Sequence, residues 1–274
     1  MSRDKRRIFR NLTFLILACA GLTWVSEKVA PRLPNLDYFS GIVLLAAIVF
    51  LAAYNVRKKL PFLPLGSSEI WLQWHIYVGY LTFVLFAVHL RFKFPTGGFE
   101  IAFTIVFAIV MLSGVGGLFL SRQIPRRLTT LGGEVIFERV PAYRHLLAER
   151  AEKLAVGSAA ETQSPTLLEF YTKNLRDFFS ARPPFWMNAL GNTRGLQRVL
   201  EKVEDLKRYT NERERVILNQ LADLLREKRR LDFHYALQGI LKAWLFVHIP
   251  FTYSLLIFSV VHLILVFGFS AAAP

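Results

Sequence analysis

Four histidines carry the most distinctive chemistry in this sequence. His75 and His89 lie fourteen residues apart within the apolar run Ile70–Leu90, and His248 and His262 repeat that spacing within the apolar run that closes the chain. Neutral imidazole is a ligand for Zn, Cu and Fe alike, and an ionisable group inside an apolar helix marks a ligand site or an ion or proton path. The spacing narrows the choice. Fourteen residues turn an α-helix through about 1400°, roughly 40° short of whole turns, so both histidines of a pair look out from nearly one face, about 21 Å apart along the axis. Two such helices side by side would put four imidazoles into two facing couples, one near each side of a hydrocarbon core about 30 Å thick. A polytopic transporter or metal-ion carrier using the histidines as ligands is the rival reading. Carriers usually gather their ligands within a turn or two to close one coordination sphere, whereas these four are spread over the membrane's depth.

The double H-x13-H pattern on two hydrophobic helices resembles the dihaem b-type membrane cytochromes. That broad group includes the cytochrome b subunits of quinol-oxidising complexes and the ferric-reductase-like membrane domains. The likeness lies mainly in residues 70–120 and 235–270. It implies an all-α polytopic membrane bundle holding two haem b groups, with His75 and His248 on one iron and His89 and His262 on the other. The single cysteine, Cys19, excludes an internal disulfide, a Cys-rich metal site and the C-x-x-C-H attachment sequence, so a haem held here is non-covalent. An imidazole on each axial side fills the iron's coordination and suits electron shuttling. The expected function is transmembrane electron transfer by the cytochrome b subunit of a membrane redox complex, as in a respiratory chain. Such a chain is an electron-transfer subunit of an oxidoreductase and not a self-contained enzyme. The implied partners are other subunits of that complex, with a c-type cytochrome or an iron–sulfur protein among the candidates, and a quinone.

The surroundings of the four histidines fit this expectation. Gly79, one turn past His75, and the run Ser113–Gly117 remove side-chain bulk, which allows close helix approach or room for a flat macrocycle. Arg91 and Lys93 at one rim, and Arg57 and Lys242 at the other, are candidate partners for haem propionates. Pro250, two residues after His248, is expected to weaken or kink its helix. Trp71, Trp74 and Trp244 suit an interfacial aromatic belt. His234 precedes His248 by fourteen residues, but Pro61 stands fourteen before His75, so no partner is supplied and His234 reads as an interfacial residue. His145, beside Arg144, reads as solvated.

The elements that must position these residues follow from composition. Hydrophobic side chains make up 53% of the 274 residues and come in long runs, which marks an integral membrane protein. Five spans are expected: Leu12–Val25, Tyr38–Val56, Ile70–Leu90, Phe99–Leu120 and Tyr235–Phe267. The basic start followed by Leu17, Ala18 and Cys19 faintly suggests a cleavable leader, but the segment is read as a retained membrane helix. Five Lys or Arg in the first ten residues, Arg57, Lys58 and Lys59 after the second span, and Arg122, Arg126 and Arg127 after the fourth place those ends on the cytoplasmic side. The expected location is the plasma (inner) membrane, with the amino terminus inside and the carboxyl terminus outside. The third and fifth spans then run in the same direction.

The expected domains are membrane helices in 1–120, a cytoplasmic helical insertion in 121–234 and a fifth span in 235–274. The insertion carries 21 Lys or Arg against 15 Asp or Glu, a balance that needs no nucleic acid to explain it. Its apolar residues recur at three and four, as in Leu196, Val199, Val203, Leu206 and again in Ile217, Leu221, Leu224. Pro141, Ser164-Pro165 and Asn211 with Glu214 read as helix starts, and Ala155–Gln163 as a flexible connector. Neither a Gly-rich phosphate loop nor room for flavin and nicotinamide domains is present, so electrons must be exchanged with a quinone or a partner protein.

Overall fold

The structure is a computed structural model and describes residues 36–59, 66–130, 135–162, 165–182 and 193–270, together with positions 13, 17, 20, 21 and 24. Among these residues every regular element is helical. In chain order they are α1 Leu36–Lys59, α2 Ser68–His89, α3 Gly98–Thr130, a 3-10 turn Phe137–Arg139, α4 Val140–Thr162, α5 Thr166–Phe170, a π-helical turn Tyr171–Leu175, α6 Arg176–Ser180, α7 Arg194–Lys207 and α8 Glu212–Ser270. Four helices are long and apolar enough to cross a membrane: Tyr38–Arg57, Ser68–His89, Gly98–Leu128 and Glu212–Gly268. Large apolar side chains stay exposed along them, with Phe246 at 82% and Leu112 at 73%, a surface that lipid and not water accommodates. The chain is therefore a membrane protein. The first expected span, Leu12–Val25, lies outside the described residues except at five positions, all of them helical.

Local chemistry explains where the helices begin and end. Ser67 caps α2 by accepting from the Ile70 N–H, and Glu69 adds a carboxylate to the positive end of the helix. At the other end the Phe92 N–H bonds the Ala87 carbonyl and the Arg91 N–H bonds the Val88 carbonyl, which is a Schellman motif. Asn211 and Glu214 form a reciprocal capping box at the start of α8: the Glu214 N–H donates to Asn211 Oδ1 at 2.9 Å and the Asn211 N–H to Glu214 Oε2 at 3.1 Å.

The chain divides into two compact units, residues Met1–Gly116 with Phe246–Pro274, and residues Gly117–Leu245. The first has a small core of Leu44 and Ile48 from α1, Leu85 from α2, Phe107 from α3 and Leu255 from α8. Leu255 is seven residues from each histidine of α8, and buried Thr82 is seven from each histidine of α2. This core therefore lies at the level between the two histidine couples. The second unit has the larger core, drawn from α4 (Val140, Leu147, Ala151), the Leu167–Phe179 segment, Val203 of α7 and the α8 stripe Ile217, Leu218, Leu221, Leu225. Arg144 and Lys228 flank the buried carboxylate of Asp232 at 2.7 and 2.8 Å, and Lys228 also donates to the Ala181 carbonyl.

Several expectations are corrected. The segment expected as a connector is helical as far as Thr162, because Ala155 is fully buried and the Ser158 hydroxyl bonds back to the Ala155 carbonyl; Gln163 lies outside the described residues. The fifth span does not begin a new helix at Tyr235. It continues a 59-residue helix, in which Pro250 causes no break. At about 1.5 Å per residue α8 is roughly 88 Å long, so only part of it can lie in a hydrocarbon core. The charged run Arg226–Asp232 belongs outside that core. Likewise α3 runs on past Leu120, through Pro125, to Thr130.

Candidate metal centres

The structure brings the four histidines together two by two. The rings of His75 and His248 have centroids 6.5 Å apart and planes at 72°, and those of His89 and His262 are 6.3 Å apart at 88°. All four are half-buried and belong to the first unit. Imidazole nitrogens bind first-row metals at about 2.0–2.1 Å, with the ring centre roughly 1.1 Å further, so two rings on opposite sides of one ion have centroids roughly 6.3 Å apart. Both couples have that separation.

The other ring nitrogen is held in three of the four. His75 Nδ1 lies 3.1 Å from the Leu51 carbonyl, which only accepts, so Nδ1 carries the hydrogen and Nε2 the lone pair. His248 Nδ1 lies 2.8 Å from Ser113 Oγ, whose single hydrogen is directed to the Val110 carbonyl at 2.9 Å. The hydroxyl therefore accepts from Nδ1–H, and His248 takes the same tautomer. His89 Nδ1 lies 3.0 Å from Ser40 Oγ. His262 is set between rings instead, with Phe99 parallel to it at 6.3 Å and Phe103 tilted at 5.6 Å. Tyr54 packs on His75 at 5.2 Å. Such partners orient ligating imidazoles and raise their basicity.

The remaining expected site residues divide. Arg57 is buried, donates to the Gly66 carbonyl at 2.6 Å and keeps Nε buried without a partner among the described residues, so it has a donor to offer a carboxylate. Lys242 is already engaged: its ammonium pairs with Glu138 and sits 4.1 Å over the Phe137 ring. Arg91 and Lys93 are exposed, and Arg91 is left-handed at φ 51. A Cβ on Gly79 would meet nothing, so that glycine is not required for close packing. In the Ser113–Gly117 run, by contrast, a Cβ on Gly117 would strike the Trp244 ring and one on Gly114 would lie 3.6 Å from His248 Cε1. Trp71 stacks on Phe50, and Trp74 is exposed.

Two further histidines are placed differently from one another. His145 is exposed and pairs with Glu149, as its polar helix suggests. His234 is buried in the second unit, and neither ring nitrogen has a partner among the described residues. Burial, with Arg230 nearby, holds it below the ordinary imidazole range. Sequence reasoning missed Ser40, the Leu51 carbonyl, Phe99 and Phe103, and read Ser113 only for its small size. A hydroxyl inside an apolar span was the available signal for Ser40 and Ser113.

Comparison of this chain with protein families, curated proteins and solved structures finds no match.

Proposed function

We propose that the protein carries single electrons across a membrane through two bis-histidine haem b groups, one held by His75 and His248 and one by His89 and His262. The observation that carries this reading is the separation of both ring couples at the span of two imidazoles trans on one metal. A haem bound at such a couple supplies an iron that changes oxidation state without exchanging its axial ligands. The chain's own residues do the rest. The Leu51 carbonyl and Ser113 keep Nε2 of His75 and His248 unprotonated, the buried Arg57 offers a donor to a carboxylate, and the core of Leu44, Ile48, Leu85, Phe107 and Leu255 keeps water from the level between the couples. A single-ion carrier is disfavoured because the couples stand about 21 Å apart along each helix and cannot share one coordination sphere.

In this reading electrons pass to or from a quinone or a partner redox protein within a larger membrane complex. An apolar groove of about 500 Å³ lined by Phe50, Ile70, Trp71 and Trp74 has the character a quinone ring requires. The amino terminus and the 121–234 insertion face the cytoplasm by the distribution of Lys and Arg. The test is a reduced-minus-oxidised visible spectrum of the purified protein, with haem quantified as its pyridine complex. Two haem b per chain are expected. Colourless, folded protein from cells amply supplied with haem would overturn the proposal.

A further inference from the structure

We infer that the stretch of α3 around and beyond Leu120 binds the headgroup of an anionic phospholipid, with Arg122, Gln123 and Arg126 on the phosphate and Phe119 beside an acyl chain. The inference rests on the membrane-spanning character of the helices and not on any haem.

The sequence changes character sharply along one face of α3. Phe119 ends the apolar run at 65% exposed, and Arg122, Gln123 and Arg126 beyond it are exposed as well. At 100° per residue these four fall within about 100° of arc, so one apolar and three polar side chains share a face. Arg122 and Arg126 stand about 4.5 and 10.5 Å further along the axis than Phe119. A phospholipid presents the same order, hydrocarbon first and a phosphodiester anion beyond it.

The stripe also lies at the level of a membrane boundary. Ser113 meets His248, and a Cβ on Gly117 would strike the Trp244 ring, so α3 and α8 run antiparallel there. Both turn from apolar to basic on the same side of the Gly117–Trp244 contact, α3 at Arg122 and α8 at Lys242. Neither helix supplies a balancing carboxylate: no Asp or Glu occurs between Glu100 and Glu134, or anywhere after Asp232. Glu138, which the 3-10 turn brings to this part of α8, pairs with Lys242. Arg127, also exposed, extends the positive field to the adjacent flank. A guanidinium offers five donors in a fixed fork that matches two phosphate oxygens, and the Gln123 amide adds a neutral donor. Lipid is the occupant because Phe119 belongs to the apolar run of a span, where hydrocarbon already surrounds it.

Native mass spectrometry of the intact protein, released from micelles holding equal phosphatidylglycerol and phosphatidylcholine, counts the lipids of each kind that stay bound. Phosphatidylglycerol should be retained preferentially, and a high-salt wash should weaken the preference. Arg122→Gln and Arg126→Gln should each lower it roughly fivefold, the effect of one basic residue near an anionic surface. Arg122→Gln combined with Ser121→Arg keeps the net charge but moves the cation about 100° round the helix. That pair should lose as much as Arg122→Gln alone. Gln123→Glu removes no arginine and should also lower retention. The inference is overturned if the charge-preserving pair keeps the full preference, because net charge alone would then explain it, or if removing both arginines changes nothing. Should the arginine variants fail to insert, Gln123→Glu decides, and unchanged retention overturns the inference. Displacement of the lipid by an equal concentration of inorganic phosphate would make this a free-anion site, and a dimer mass lost in the arginine variants would give the face to a second copy; either result overturns the lipid assignment. A colourless protein that still selects phosphatidylglycerol through these residues would reject the proposed function and leave this inference standing.

Discussion

At the scale of single residues the consequential property is which imidazole answers to which. A bis-imidazole centre loses its low-spin iron when either ligand is removed, so His75→Ala and His248→Ala should each eliminate the same haem, and His89→Ala and His262→Ala the other. Haem quantitation with paramagnetic resonance of the four variants checks this; a preparation in which His75→Ala and His262→Ala removed the same signal would contradict the pairing. The histidines could be read from the sequence because an apolar span leaves few polar residues to choose from, and a fourteen-residue spacing fixes their face and depth. Their orienting groups could not. The Leu51 carbonyl is a backbone atom with no signature in residue type, and Ser113 accepts from His248 across 135 positions of sequence. The partner of Lys242 is illegible for a related reason, since only the fold brings Glu138 to it from 104 residues away.

At the scale of elements, the end of α2 beside His89 carries a conflict between local preference and the residue present. Its Schellman motif puts Arg91 at the left-handed position, φ 51, with Phe92 following at φ 56. Glycine is the usual occupant, and a side chain with a Cβ costs about 1–2 kcal/mol there. Arg91→Gly should therefore stabilise the haem-free protein by about 1 kcal/mol. If Arg91 is retained as a cationic partner of a haem carboxylate, the same change should weaken haem retention at the His89–His262 centre during dilution or competition with a haem-binding protein. Unchanged haem retention in the stabilised variant would remove Arg91 from the site. Capping signals of this kind were legible where side chains make them, as in the Asn211–Glu214 box, and illegible where backbone amides do. The length of α8 is not legible in the pattern, because the apolar residues Ile217, Leu221 and Leu224 and the apolar run after Tyr235 look like separate elements. No helix-breaking residue separates them: the charged stretch between changes the solvent the helix meets and not its conformation.

At the scale of the whole molecule, stability should depend on pH through a residue distant in sequence from the couples. His234 is buried and its ring nitrogens lack partners, so folding favours the neutral form and its pKa lies below the ordinary 6.5. The unfolded chain then binds more protons near pH 6, so this contribution is fully present above 6.5 and is lost as pH falls below it toward the depressed value. The apparent melting temperature in detergent should drop between pH 7.5 and 5.5, and His234→Phe should flatten that drop; an equal drop in the variant would assign it elsewhere. The second unit also bears on how far the chain can be reduced. All four couple histidines lie outside it, which suggests that removing residues 132–211 would leave the haems intact. The core argues otherwise, because Ile217, Leu218, Leu221 and Leu225 of α8 are covered by the deleted helices. Exposing four such side chains forfeits about 1.5–3 kcal/mol each. A better excision follows the packing: Phe137 stacks on Tyr235 at 4.4 Å, Gln238 donates to the Val135 carbonyl at 2.8 Å and Glu138 pairs with Lys242, so the chain at 135–138 already lies beside α8. Replacing Val140–Asp232 by a short Gly/Ser linker removes the apolar stripe with its cover and needs little reach. The expected outcome is an aggregated product from the 132–211 deletion and a monodisperse protein retaining both haems from the 140–232 replacement, measured by size-exclusion chromatography and visible spectra. If the shorter deletion behaved like the parent, the stripe would not be a core. A monodisperse, inserted 140–232 variant lacking one haem would show that the second unit supports that centre, and confinement of the sites to the first unit would have to be abandoned.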